Sequence, residues 1–461
     1  MAYRSGRRAG RAVDMLNGPL LRPMITYTIP IMLSGLLQLM FNAADVAVVG
    51  RFAGSDALAA VGSNGALTSL IVNLFIGLSV GANVVAARAC GAQDYKKLSQ
   101  TVHTSMLTAL VCGVGLTAVG TVFAPRFLAW MGSPEEIIGL ATVYLRIYFC
   151  GMIPSMVYNF GAAILRSVGD TRRPLIYLTI SGVANVVLNL VFVVAFNMSV
   201  AGVALATVIS QCISAVLVVV CLMRSEGAIR FQPKLMRIHK DEFKDILRIG
   251  LPAGVQSMAF SISNVMIQST INSFGTDAVA GNAAGGNLDC FVQMMMNSFY
   301  QSCISFVGQN YGAKKYHRIW KILGTALMCV LVVGTVGGFC VWYFGDTLLR
   351  IYTTSDAVIK AGLVRLMWVG LPYVFCGLND SVVGALRGMG YSLSSMIMSL
   401  VGICGVRLLW IFTFCRIEPW SRSISTVYVS YPVSWIVTLL MQSVCFFIAM
   451  KKLRSRTEGG I

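Results

Sequence analysis

The chain has 461 residues, 56% of them hydrophobic and only 12% charged, with a formal net charge of +18. Soluble globular chains carry about 25% charged residues, and runs long enough to cross a bilayer core of about 30 Å recur along the whole length. This composition excludes a soluble fold and points to a polytopic membrane protein.

In chain order, the hydropathy pattern predicts twelve spans near 24–50, 58–88, 99–123, 136–160, 174–197, 201–223, 246–272, 279–309, 318–344, 357–386, 393–415 and 425–450. With the N-terminus inside, only Arg51, Arg126, Arg350, Lys360, Arg416 and Arg422 of the 36 Lys and Arg fall on the outer side, and Arg146, Arg365 and Arg407 lie within spans. The remaining basic residues gather on the cytoplasmic side, the positive-inside signature. The positive charge therefore reads as topology, and no nucleic-acid partner is expected. The predicted organisation is a basic cytoplasmic segment (1–23), an N-lobe with spans one to six (24–223), a cytoplasmic linker (224–245), a C-lobe with spans seven to twelve (246–450) and a basic cytoplasmic tail (451–461). The N-terminal segment runs straight into a full-length span, without the short apolar core and small-residue cleavage site of a signal peptide. The thirteen cysteines are scattered and form no C-x-x-C pair, and the three histidines stand far apart, so no redox or metal centre is expected.

The chain repeats itself. "SDALAAVG" (55–62) answers "TDAVAGNA" (276–283), "CGAQDYKK" (90–97) answers "YGAKKYHR" (311–318), and "AILRSVGD" (163–170) answers "GALRGMGY" (384–391), always 221 residues apart. Gly91 and Gly312 are expected to close the helices that precede them. Six spans per half is an even number, so the halves share one orientation and relate by an axis along the membrane normal, a transporter arrangement. The expected fold is thus an all-α polytopic membrane protein of twelve transmembrane helices, in two six-helix lobes related by a parallel pseudo-twofold repeat.

Against this frame Asp45 is out of place, an acid in the apolar run "LLQLMFNAADVAVVG" (36–50). A packing role, satisfied by Asn42 or a neighbouring span, gains about 0.6 kcal/mol for an average intramembrane hydrogen bond. A buried acid costs several times as much. That imbalance favours ion binding. Asn185 and Asn189 are four residues apart and share one helix face.

Taken together, "FNAADVAVVGRFAGSDALAAVG", "YLRIYFCGMIP", "ILRSVGDTRRP", "ANVVLNLVFV", "GVALATVISQ" and "GALRGMGYS" resemble the multidrug and toxic compound extrusion (MATE) transporters, most like the DinF-like bacterial branch. The resemblance runs from about 15 to 450. It implies a V-shaped cavity between two lobes and export of amphipathic, often cationic, compounds in exchange for inward H⁺ or Na⁺. It also implies a cation-coupling set of Asp45, Asn185, Asn189 and Thr207, with Asp45 a ligand if the ion is Na⁺. Asn189 departs from the Asp common in the family, leaving one carboxylate and a weaker expected hold on Na⁺. Pro30 is implied as the place where span one bends, acting either as a static kink or as a hinge, and Pro252 is its counterpart in span seven.

The second half lacks this constellation. Asp380 and Arg407 are expected to form a buried charge pair, since either alone is costly in a membrane. Asp289 is a third candidate for a buried acid, or else faces water in the cavity, and Arg146 and Arg365 are expected to snorkel or brace the outer ends of spans four and ten. Gln38, Asn42, Gln256 and Asn264, with Met295 of the Met294–Met296 run, are candidates for the substrate path. No enzyme is expected, because no nucleophile or His/Asp cluster stands at a membrane face. A flippase for a lipid-linked precursor is the alternative function, disfavoured by the twelve-span count and the first-half acid. The remaining expectations are a monomer in the bacterial plasma membrane, both termini cytoplasmic, with a small-molecule substrate and no cofactor beyond the coupling ion.

Overall fold

The computed structural model describes residues 12–130, 135–417 and 423–458; the basic segment through Arg11 and the predicted outer residue Arg422 lie outside them. The described residues are almost entirely helical. The helices are α1 (Leu21–Phe52), α2 (Ser55–Gly91), α3 (Tyr95–Trp130), α4 (Glu135–Cys150), α5 (Met152–Ser167), α6 (Arg172–Leu190), α7 (Ser199–Arg224), α8 (Lys240–Asn272), α9 (Thr276–Gly312), α10 (Tyr316–Tyr343), α11 (Gly345–Leu349), α12 (Asp356–Arg365), α13 (Tyr373–Gly388), α14 (Ser392–Ser399), α15 (Val406–Phe412) and α16 (Ile424–Glu458).

Every predicted span falls on these helices. One span is bent, and three others, the fifth at Val191–Ala195 among them, run through a π-turn. The fourth bends by 43° between α4 and α5, the tenth joins α12 to α13 through the π-turn Leu366–Gly370, and the eleventh joins α14 to α15 through the π-turn Leu400–Gly405. Among the described residues nine helical segments are long and apolar enough to cross a membrane, and the bent α4–α5 pair makes a tenth. The other two are α8 and α9, of 33 and 37 residues. At about 1.5 Å per residue each is long enough to span, but Ser, Asn and Gln dilute its hydropathy.

The repeat is written into the backbone. Left-handed residues recur 221 positions apart at Gly54 and Gly275, Gln93 and Lys314, and Gly169 and Gly390. Helices α2 and α9 do end at Gly91 and Gly312, but the left-handed turn that follows is made two residues later by Gln93 and Lys314 rather than by the glycines.

The chain forms two compact units. One holds the described residues up to Asp14 with Leu33–Gly254, the other Met15–Met32 with Val255–Ile461. The boundaries therefore fall inside α1 and α8, two residues after Pro30 and two after Pro252. In the first unit, α8 enters against α2 through Gly77, Gly81, Gly250 and Gly254. A Cβ on Gly77 would stand 2.3 Å from the Gly254 nitrogen, and one on Gly254 2.2 Å from the Leu74 oxygen. Small residues four apart on both helices let the backbones touch, which is how membrane helices gain packing energy without a hydrophobic driving force. In the second unit the start of α1 meets α9 by hydroxyls instead. Tyr27 donates to Ser305 at 2.7 Å, and the Thr28 and Ser302 hydroxyls share a 2.7 Å bond.

Candidate functional site

The first unit builds its polar centre from α1, α6 and α7. Gly182 of α6 makes room for the Phe41 ring of α1, whose Cε2 would lie 1.8 Å from a Cβ placed there. Gly182, Asn185 and Asn189 share a face of α6. One turn beyond Phe41, Asp45 therefore arrives opposite Asn189, whose Nδ2 donates to Asp45 Oδ1 in a close hydrogen bond. The same amide donates to Asn185 Oδ1 at 3.3 Å, and Asn185 Nδ2 reaches the Thr207 hydroxyl at 3.5 Å. Thr207 in turn donates to its own helix at Val203 O, 3.0 Å away. All four residues of the expected coupling set meet in one chain of hydrogen bonds.

Asn189 is fully buried, and its Oδ1 has no hydrogen-bond partner among the described residues. A buried carbonyl oxygen left without a donor is costly. Beside a carboxylate and a hydroxyl it makes an oxygen-rich locus of the kind hard cations prefer. Sequence reasoning missed Tyr144 and Tyr148 of α4, which approach Asp45 closely enough to feel its charge and stack on each other with ring centroids 6.0 Å apart. Their four-residue spacing in "VYLRIYFC" was the available signal.

The second unit departs from expectation. Asp380 and Arg407 do not pair. Arg407 donates to the Ser434 hydroxyl at 3.0 Å and to Asn264 Oδ1 at 3.4 Å, and lies 4.2 Å from the Tyr431 ring centroid. The π-turn Leu400–Gly405 widens the helix just before Arg407, whose guanidinium lies against Tyr431 and Ser434 of α16. Asp380 instead stands within electrostatic reach of Arg387, two turns on along α13. Arg387 is itself buried, bonded to Gln256 Oε1 at 2.7 Å and closely to the Tyr300 hydroxyl.

The close ion pair is elsewhere. Arg365 and Asp289, both largely buried, meet at 3.0 Å, so Arg365 does not snorkel but braces the end of α12 against α9, and Asp289 is a buried acid and does not face water. Arg365 also donates to Asn282 Oδ1 at 2.5 Å, and the Tyr428 hydroxyl donates to that same oxygen at 3.3 Å. Gly285 and Gly286 leave space for the guanidinium stem. Arg146 likewise braces its neighbour, donating to Thr121 O of α3 at 3.2 Å.

The substrate-path candidates divide. Gln38, Asn42 and Asn264 are exposed; Gln256 is buried in its bond to Arg387 and does not line an open surface; Met295 packs half-buried against the core while Met296 is fully inside it. All thirteen cysteines are free, and among the described residues no three His, Cys, Asp or Glu gather as a metal site.

Fold and site together define a helical membrane protein made of two homologous halves, one of which holds a half-buried carboxylate in an amide and hydroxyl cluster. The MatE family model matches twice, at residues 30–191 and 252–413, and the chain belongs to the MatE family. It is 26% identical to the probable multidrug resistance protein YpnP of Bacillus subtilis over 86% of this chain and 89% of that one. It is likewise 26% identical to the probable multidrug resistance protein NorM of Thermotoga maritima over 84% of each chain. In fold it resembles a MOP superfamily transporter of Pyrococcus furiosus, described as having a binding pocket of reversed polarity that suggests a different function (TM-score 0.90, 20% identity, 96% of this chain and 98% of that). It also resembles the crystal structure of MATE in the straight conformation (TM-score 0.90, 20% identity, 96% and 99%).

Proposed function

We propose that this chain is a secondary active multidrug exporter, expelling small amphipathic, often cationic, compounds in exchange for inward H⁺ or Na⁺. The observation that carries the reading is the cluster of Asp45, Asn185, Asn189 and Thr207. It holds the single carboxylate near oxygen acceptors, so that arrival of H⁺ or Na⁺ neutralises a charge that is costly to bury. Pro30 removes a backbone bond within α1, fifteen residues before Asp45, and serves as the place where the state of Asp45 is passed to the rest of the helix. Gln38 and Asn42 in the first unit, and Asn264 and Met295 in the second, are each offered to the substrate. The chain works as a monomer in a bacterial plasma membrane with both termini cytoplasmic, as the basic linker and loops support.

The energetics suit antiport. One charge moving inward through about 100 mV releases roughly 2.3 kcal/mol, enough for about a fifty-fold gradient of a neutral substrate. A monovalent cation leaving against one H⁺ or Na⁺ gains nothing from voltage and draws on the chemical gradient.

The test is efflux of a fluorescent cationic dye from proteoliposomes under an imposed Na⁺ or pH gradient, each applied alone. At least one gradient should drive export by the unaltered chain, and Asp45→Asn should abolish it while leaving dye binding intact. Wild-type rates from correctly inserted Asp45→Asn under either gradient would sink the proposal.

A further inference from the structure

Two basic cavities, each of about 640 Å³, stand outside the site described above. The first, in unit one, is lined by Lys96 on the opening turn of α3 and by Lys234, Arg237 and His239 of the linker. The second, in unit two, is lined by Arg318 and Lys321 near the start of α10 and by Gly18, Pro19 and Leu20, which lead into α1. They occupy corresponding places in the repeat. Gln100 and Lys321, His103 and Gly324, and His239 and Gly18 line the respective cavities 221 residues apart. The two halves carry cavities of the same size, each closed by the segment leading into the corresponding helix, α8 or α1.

Among the described residues no carboxylate lines either cavity. The linker is strapped over the first by backbone donors, Gln232 N–H to His103 Nε2 and His239 N–H to the Thr104 hydroxyl, both at 3.1 Å. In the second, Arg318 spends one Nη1 donor on the Gly18 carbonyl at 3.1 Å. Its Nε and Nη2 are covered and have no acceptor among the described residues. Hydrogen bonds from a guanidinium to an anion are about twice as strong as neutral ones, so covered donors of this kind suit an anionic ligand.

The surroundings say which kind. Beside the first cavity the linker exposes Leu235, Met236 and Ile238 between its basic residues, and beside the second Leu21, Trp320 and Met328 are exposed. Apolar side chains alternating with cations, at the level where polar first turns of α3 and α10 give way to apolar spans, match the boundary between headgroup and acyl chain. A Trp there fits the interfacial belt.

We propose that these cavities are repeat-related binding sites for the phosphate-bearing headgroup of an anionic phospholipid. The basic side chains hold the phosphate, and the exposed apolar residues lie along the upper acyl chain. A lipid in the first site fastens the linker to α3, and one in the second fastens the start of α1 to α10.

Native mass spectrometry of the purified full chain tests this, with phosphatidylglycerol, phosphatidylcholine and glycerol 3-phosphate as probes. The chain should retain two phosphatidylglycerol molecules and hold phosphatidylcholine at least tenfold more weakly. Lys234→Gln with Arg237→Gln should leave one lipid, as should Lys321→Gln, which keeps the Arg318 clasp on Gly18. Arg237→Lys, which keeps the charge, should keep both, as should Lys451→Gln with Lys452→Gln, an equal loss of charge in the tail. The proposal is overturned by equal retention of phosphatidylcholine, by cavity variants that still hold two lipids, by equal loss in the tail variant, or by glycerol 3-phosphate displacing the lipid at equal concentration.

Discussion

Asn189 donates its amide to Asp45 across the α1–α6 contact. An aspartate at 189 would have no hydrogen to give unless it were protonated, so this chain keeps its only local carboxylate in a neutral amide's grip. Asn189→Asp should then raise Na⁺ affinity by at least about tenfold. A second unit charge at about 4 Å is worth about 4 kcal/mol at an effective dielectric of 20. Isothermal titration with Na⁺ measures it. Asp45→Asn combined with Asn189→Asp exchanges donor and acceptor, and dye efflux should recover part of what Asp45→Asn alone loses. A double variant as inactive as the single would show that the carboxylate must sit on α1.

The buried pair of Asp289 and Arg365 leads to a stability prediction. Removing one partner strands the other charge, a loss of about 3–5 kcal/mol for buried pairs. Asp289→Asn and Arg365→Gln should each lower thermal stability sharply, and the double variant should lose at least about 1 kcal/mol less than their sum. Strict additivity in the cycle would show that the 3.0 Å contact contributes nothing as a pair.

What was legible from the residues followed from local spacing. Asn185 and Asn189 advertise a shared helix face, and an acid in an apolar run is conspicuous, but that these three and Thr207 belong to one cluster is implied by the resemblance to the MATE transporters and by no spacing within the chain. Arg407 shows the opposite case. Its facing depends on the π-turn at Leu400–Gly405, an extra residue per turn that helical periodicity does not announce. Asp289 and Arg365 stand 76 residues apart, and nothing local in either span marks the other as its partner. The place where each unit takes over α1 and α8 was equally silent, although Pro30 and Pro252 stand two residues from it.

Arg407 should be coupled to its aromatic neighbour and not to Asp380. A desolvated cation over a ring is worth about 2 kcal/mol, so Arg407→Gln and Tyr431→Leu should show coupling of that order in chemical or thermal unfolding. Arg407→Gln and Asp380→Asn should add to within about 0.5 kcal/mol, as separate sites do. Strong coupling between Asp380 and Arg407, with none to Tyr431, would reverse the assignment made from the 4.2 Å ring contact.

The glycine contact between α2 and α8 sets backbone directly against backbone. A methyl group on Gly254 would fall 2.2 Å from the Leu74 oxygen, and one on Gly77 2.3 Å from the Gly254 nitrogen. The obstructing atoms are backbone, which cannot swing aside as a flexible side chain does, so the helices must separate. Overpacking of a tight interior costs about 1–3 kcal/mol, and Gly254→Ala should approach the upper end. Gly115→Ala is the control, since nothing lies within 4 Å of a Cβ built there, and in a helix the change to Ala gains up to about 1 kcal/mol in propensity. Thermal unfolding in detergent should therefore move in opposite directions for the two variants. If Gly254→Ala unfolds at or above the wild-type temperature, the close approach of α2 and α8 is not what holds the start of α8 in the first unit.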